Sequence, residues 1–285
     1  MATLTDIDRQ FARLERAAAL GPRPYRFVVL SDHGQSQGAT FLQRYGLTLE
    51  DVVRESLSVP STIGLLDAAE EARAGVGAAL TEVATEGGAT ERLARGATPE
   101  GQEAEGEDRA RAVVLASGNL GLIYLTDAPE RLEREDIERL HPDLLPALVE
   151  HPGISFVRVR SAQDGAVVLG RAGTHRLRDG HVEGEDPLAP FGPNAAQHIL
   201  RHDGFTHSPD ILVNSLYDPA TGEVAAFEEL VGSHGGLGGP QAHPFALMPT
   251  ECGPVDGPIV GAAAMHAALK RWTGAPAPPA GGQDR

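Results

Sequence analysis

The sequence predicts an α/β fold with a mainly parallel sheet, helices on both faces and a β-hairpin excursion. Three observations carry that expectation. A helix-spaced apolar pattern runs into a short continuous apolar segment, Tyr25-Arg-Phe-Val-Val-Leu30. Continuous apolarity suits a strand covered on both faces, as parallel strands are. Strand-like and helix-like segments then alternate along the chain, and Gln163-Asp164-Gly165 supplies a hairpin signal.

Each element has its own local reason. Leu4, Ile7, Phe11, Leu14 and Ala18 recur at helical spacing and predict an amphipathic helix over 5–19, ended by Gly21-Pro22-Arg23-Pro24. The strand at 25–30 follows and leads directly into Ser31-Asp32-His33-Gly34. From 61 to 110 Ala, Gly, Glu and Thr dominate. Part of this stretch, 65–80, reads as helical, but 97–108 carries too little apolar surface to offset its ordering entropy. The whole stretch is expected to be a flexible acidic insertion. Strands are expected at 112–115 and 121–125, joined through Ser117-Gly118-Asn119, and a helical region at 131–150, interrupted by Pro142 and Pro146. Residues 154–160 and 166–169 form the hairpin, and Asp179-Gly180 marks a second one. A short helix at 194–201, a strand at 211–217, a turn at Asp218-Pro-Ala-Thr-Gly222, a glycine-rich loop at 232–240 and an Ala-rich helix at 259–272 complete the order. The Pro- and Gly-rich 274–285 reads as a disordered tail, so the expected domain spans 1–273.

Composition narrows the function classes. The chain has 285 residues, 24 Lys and Arg against 40 Asp and Glu, and a net charge of −16. That balance argues against binding a nucleic-acid backbone. Cys252 is the single cysteine, which excludes a disulfide framework and a multi-cysteine zinc site. Lys270 is the single lysine, so lysine-based catalysis is unsupported. No apolar run approaches the roughly 18–20 residues that span a bilayer, and the start lacks a signal-peptide pattern. A cytoplasmic location is therefore expected for this chain.

Two motifs stand out for chemistry. Asp32-His33-Gly34 follows an expected strand, at the end where open α/β sheets bind ligands. A carboxylate and a neutral imidazole are both good zinc ligands, and glycine lets the backbone turn away. His234 lies in Gly232-Ser-His-Gly-Gly236, where flanking glycines permit close approach to a ligand. The plainer alternatives are a polar strand-end turn for the first and a solvated loop for the second. His198, His202 and His207 fit a helix end better than a metal site, and His243 could assist at a site mouth. Ser36 and Thr40 lack a base-and-orienter set. Gly236-Leu-Gly-Gly does not follow phosphate-loop or dinucleotide spacing.

Taken together, Val29-Leu-Ser-Asp-His-Gly34 and Gly232-Ser-His-Gly-Gly236 resemble metal motifs of the alkaline phosphatase superfamily, in its type I phosphodiesterase/nucleotide pyrophosphatase branch. Ser117-Gly-Asn-Leu-Gly-Leu-Ile-Tyr-Leu125 and Ser208-Pro-Asp-Ile-Leu-Val-Asn-Ser215 suit later strands of the same fold, so the resemblance covers roughly residues 5–249. It is closest to bacterial phosphodiesterase-like proteins, some of which carry a holin-like membrane segment ahead of this domain. The resemblance implies that Asp32 and His33 ligate one zinc ion and His234 a second. It also implies a phosphoester small-molecule substrate. The family's nucleophile and first-half ligands have no match here, and its N-terminal strands are missing. The expectation is therefore the C-terminal part of a metal-dependent phosphodiesterase, weakly active or inactive alone. An exposed sheet edge would favour homo-oligomers, and a longer parent chain could supply a membrane anchor. The alternatives are a non-catalytic binding or regulatory remnant, or a sulfatase or phosphoglycerate-mutase-type member of the superfamily.

Overall fold

The computed structural model describes residues 2–57, 63–66, 111–253, 255 and 257–273. They fall into two compact units, Met1–Asp32 with Pro244–Arg285, and His33–His243. The first unit opens with helix α1 (Ala2–Ala19), whose apolar residues follow the expected spacing. Strand β1 (Val29–Leu30) follows. Here the expectation of a buried parallel strand fails. Only two residues pair, they pair antiparallel, and Tyr25 and Leu30 stay 49% and 43% exposed.

The second unit begins with two short helices fixed by their caps. Thr40 starts α2 (Phe41–Tyr45) and Thr48 starts α3 (Leu49–Ser56). Each threonine side chain accepts from the N3 backbone, while Gln43 or Asp51 reaches back to the cap N–H. Strand β2 (Ile63–Leu66) comes next, where the sequence suggested an insertion with a helix beginning near Leu65. The rest of that expected insertion, 67–110, lies outside the described residues, as does the expected tail. Then follow β3 (Ala112–Ser117), β4 (Leu120–Leu125), α4 (Arg134–Leu140) and α5 (Leu144–Glu150). Pro142 separates these helices, and Pro146 sits in the first turn of α5, where a missing N–H costs nothing. The chain continues through β5 (Ile154–Ser161), β6 (Gly165–Gly170), β7 (Gly173–Arg176), β8 (His181–Gly184), α6 (Ala195–Asp203) and β9 (Ile211–Ser215). A small hairpin, β10 (Tyr217–Asp218) with β11 (Glu223–Val224), precedes the glycine-rich loop. The first unit resumes with β12 (Ala246–Leu247), the partner of β1, and ends in α7 (Gly261–Trp272).

The main sheet has the order β2-β3-β4-β9-β5-β6-β7-β8. Its seven strands from β3 to β8 in this order are antiparallel to their neighbours, and only β2 joins β3 in parallel. The expectation of a mainly parallel sheet is therefore corrected. Turns as short as Gly118-Asn119, with Ser117 opposite Leu120, force the chain straight back on itself. The hairpins read at Asp164-Gly165 and Asp179-Gly180 are present as β5–β6 and β7–β8.

Helices do cover both faces. Val157, Val159, Val167, Leu169, Ile211 and Val213 join one core with Phe41, Leu49, Val53, Ile137, Leu144 and Leu148 from α2 to α5. The alternate residues Phe156, Ala166, Val168 and Leu212 join a second core with Ala195 and Ile199 of α6, together with Leu188. Such double coverage produces apolar runs whichever way the strands point. Among the described residues no helix is long and apolar enough to cross a membrane.

Candidate functional site

Two turns meet in the second unit. Ser36 and Ser233 exchange both backbone hydrogen bonds at 2.9 Å, laying the segment after His33 beside the segment before His234. Gly34 donates its N–H to the Gln241 carbonyl at 2.9 Å. A side chain at Gly34 would start 2.1 Å from the Pro240 carbonyl oxygen, so only glycine lets these strands of chain approach. Gly235 (φ 144°) serves the other turn, with its Cα face against the Ser117 carbonyl.

These contacts bring His33 and His234 face to face. Their ring centroids lie 3.6 Å apart with an interplanar angle of 14°. His33 is half-buried and His234 exposed, so the pair is open to a ligand. The Nδ1 of His33 lies 2.6 Å from the Gly34 carbonyl oxygen. A carbonyl can only accept, so Nδ1 carries the proton in this contact. A backbone carbonyl on one ring nitrogen is the usual support of a metal-binding histidine. Asp32, exposed and next in the chain, is the last residue of the first unit's N-terminal segment.

The two turns supply a pair of imidazole donors and no complete ligand set among the described residues. Near-parallel rings cannot both aim in-plane lone pairs at one ion. Each ring would therefore serve a separate ion. A catalytic zinc takes three protein ligands, and among the described residues no group of three or more His, Cys, Asp or Glu side chains is arranged to hold an ion.

The loop after His234 is fixed by three buried carboxamides that sequence reasoning passed over. Asn119 Oδ1 accepts from the Gly236 N–H at 3.0 Å and from Gln241 Nε2 at 2.8 Å, while its Nδ2 donates to the Leu237 carbonyl at 2.9 Å. Asn214 Oδ1 accepts from the Leu237 N–H at 2.7 Å. Gln241 Nε2 also donates to the Gly238 carbonyl at 2.8 Å. The one signal for this in the sequence is Asn214, a polar residue inside the apolar run of β9.

The remaining candidates have structural roles. The buried Ser36 hydroxyl accepts from the Gln241 N–H at 3.2 Å, and Thr40 caps α2 with its hydroxyl on Glu229. His198 is exposed on α6, and His207 is exposed with its carbonyl accepting from the Tyr124 hydroxyl at 3.1 Å. His202 packs on Phe205, and burial, then the nearby Arg158 and Arg131 charges, lower its pKa. His243 caps a single 3-10 turn, Pro240–Ala242, and Cys252 is half-buried.

A second polar cluster lies at the far end of β4. Fully buried Arg158 on β5 donates to Ser208 at 2.8 Å and sits 3.1 Å from Asp203, which also pairs with Arg131 at 2.5 Å. Burial, then the like charge of Arg131, pull the Arg158 guanidinium down to about 9. Tyr124, Arg131, Ser208 and Asp210 line a cleft of about 590 Å³ beside it. The shared carboxylate ties the 202–210 segment to the sheet.

No family model, curated protein or solved structure matches the chain.

Proposed function

We propose that the chain carries part of the metal centre of a phosphoric-ester hydrolase of alkaline phosphatase type. Asp32 and His33 would face one divalent ion, zinc by ligand chemistry, and His234 a second. The observation that carries this reading is the 3.6 Å stack of two imidazoles 201 positions apart, each delivered by a glycine turn. When bound, a pair of ions stabilises both the attacking and the leaving oxygen of displacement at phosphorus. The chain's own part is to present the two rings side by side and to fix the His33 tautomer through the Gly34 carbonyl.

The remaining ligands and the nucleophile would come from polypeptide outside this chain. The first unit supports that division of labour. Among the described residues its buried hydrophobic side chains are Ala268 and Trp272, while Leu4, Leu14, Phe245 and Leu247 are more than half exposed. Apolar surface of this kind seeks a cover, whether another polypeptide or a second copy. A net charge of −16 gives no long-range pull on a phosphoester, so the ions must supply it.

Zinc titration by calorimetry tests the reading. Stoichiometric binding is expected, weakened strongly in both His33→Ala and His234→Ala. Hydrolysis of bis(p-nitrophenyl) phosphate by this chain alone should stay near background. Zinc affinity unchanged by both substitutions would refute the ligand assignment and leave a non-catalytic binding module.

A further inference from the structure

We propose that Asn119, Asn214 and Gln241 are positioning residues that lock the turn after His234 and thereby keep its ring against His33. The metal reading above is needed only for the zinc arm of the test.

The three side chains are 0%, 1% and 4% exposed and reach the same short stretch, Gly236 to Gly238, from three places. Asn119 comes from the β3–β4 turn, Asn214 from β9 in the middle of the sheet, and Gln241 from the far end of the loop itself. Between them they satisfy the N–H groups of Gly236 and Leu237 and the carbonyls of Leu237 and Gly238. A backbone group taken from water without such a partner is destabilising. The loop has no sheet or helix to supply these bonds, so the amides replace them.

The chemistry calls for carboxamides. At Asn119 one atom must accept from two N–H donors while its neighbour donates to a carbonyl. A carboxylate cannot donate, and it would set a buried negative charge against the Leu237 carbonyl. The partners also fix which way the amide faces, because the reverse orientation would oppose donor to donor and acceptor to acceptor. Gly236 completes the fit, since a side chain there would start 2.7 Å from both the Asn119 and the Asn214 Oδ1.

Gln241 links the two histidine turns. Its side chain grips Asn119 and Gly238 on the His234 side. Its carbonyl accepts from Gly34, the residue after His33. Loosening this residue or Asn119 therefore frees one ring relative to the other while leaving both hydrophobic cores untouched, since none of the three amides belongs to either.

The near-isosteric variants Asn119→Asp and Gln241→Glu test this. The readouts are circular dichroism for the fold, proton NMR of the His33 and His234 rings, amide exchange at Gly236 and Leu237, and zinc titration. Ring signals are assigned with His33→Gln and His234→Gln. In the wild type the stacked rings should shield each other and both amides should be protected. In the folded variants shielding and protection should disappear, and zinc should bind about 10- to 100-fold more weakly, as for other outer-shell losses. Mutual shielding that persists in both variants overturns the proposal. So do wild-type Gly236 and Leu237 amides that exchange like open loop, a measurement that decides the matter even if neither variant folds. A wild type that binds no zinc, with shielding lost in the variants, refutes the metal reading and keeps the positioning role. Zinc binding and shielding retained in both variants would do the reverse.

Discussion

Replacing Gly34 with alanine isolates how tightly the two histidine turns are joined. The new methyl carbon would start 2.1 Å from the Pro240 carbonyl oxygen, 3.0 Å from the Pro240 carbonyl carbon and 3.1 Å from the His243 carbonyl oxygen. All three obstacles are backbone, so no side chain can swing aside. Opening the first contact to ordinary van der Waals distance needs a shift of about 1.3 Å, and forced shifts of that kind typically cost about 1–3 kcal/mol. The same movement stretches the 2.9 Å bond from the Gly34 N–H to the Gln241 carbonyl, adding about 1 kcal/mol. We expect Gly34→Ala to lose about 2–4 kcal/mol, a fall in melting temperature of about 5–15 °C for a unit of this size. Urea denaturation with an unchanged slope would report the loss. Because His33 is the adjacent residue, the variant should also lose the mutual shielding of the two rings. Wild-type stability together with an intact ring stack would refute the geometric reasoning for the site.

Three further outcomes follow from the fold. Thr48→Ala removes the side-chain half of the α3 capping box, leaving the Asp51 carboxylate on the backbone N–H of residue 48, and should cost about 1 kcal/mol by urea denaturation, whereas Thr48→Ser should restore most of it. Phe156→Ala and Val157→Ala probe opposite faces of β5; both should destabilise, by about 3–5 and 1–3 kcal/mol, and a near-zero effect for either would mean that its face is uncovered. Burial, helped by the Arg171 charge, lowers the pKa of His151, which stacks on Phe41 and accepts the Gly153 N–H. A folded value below the unfolded one of about 6.5 means this stability is complete above that pH and is lost as pH falls through the folded value. The drop in urea midpoint from pH 8 to pH 5 should therefore be smaller in His151→Phe than in the wild type; an equal drop would contradict the assignment.

Local chemistry was readable in the chain itself. The Asp164-Gly165 and Asp179-Gly180 turns, the helix breaks at Pro142 and the amphipathic spacing of α1 each depend on a few neighbouring residues, and each is present where the sequence put it. The pairing of Asp32-His33-Gly34 with Ser233-His234-Gly235 was legible as a pattern, and in the fold the two imidazoles do converge. Strand direction was not legible. A residue run such as Ile211-Leu-Val is apolar on both sides because α2 to α5 cover one face and α6 the other, and that coverage looks the same in parallel and antiparallel sheets. The segment 25–30 shows the opposite failure, an apolar run whose burial depended on neighbours that its unit does not provide. The amide lock is the clearest product of tertiary structure. Asn119, Asn214 and Gln241 are ordinary polar residues until β4, β9 and the loop end are folded together. Hydrogen-bond complementarity is a relation between distant backbones, and no single stretch of sequence contains it.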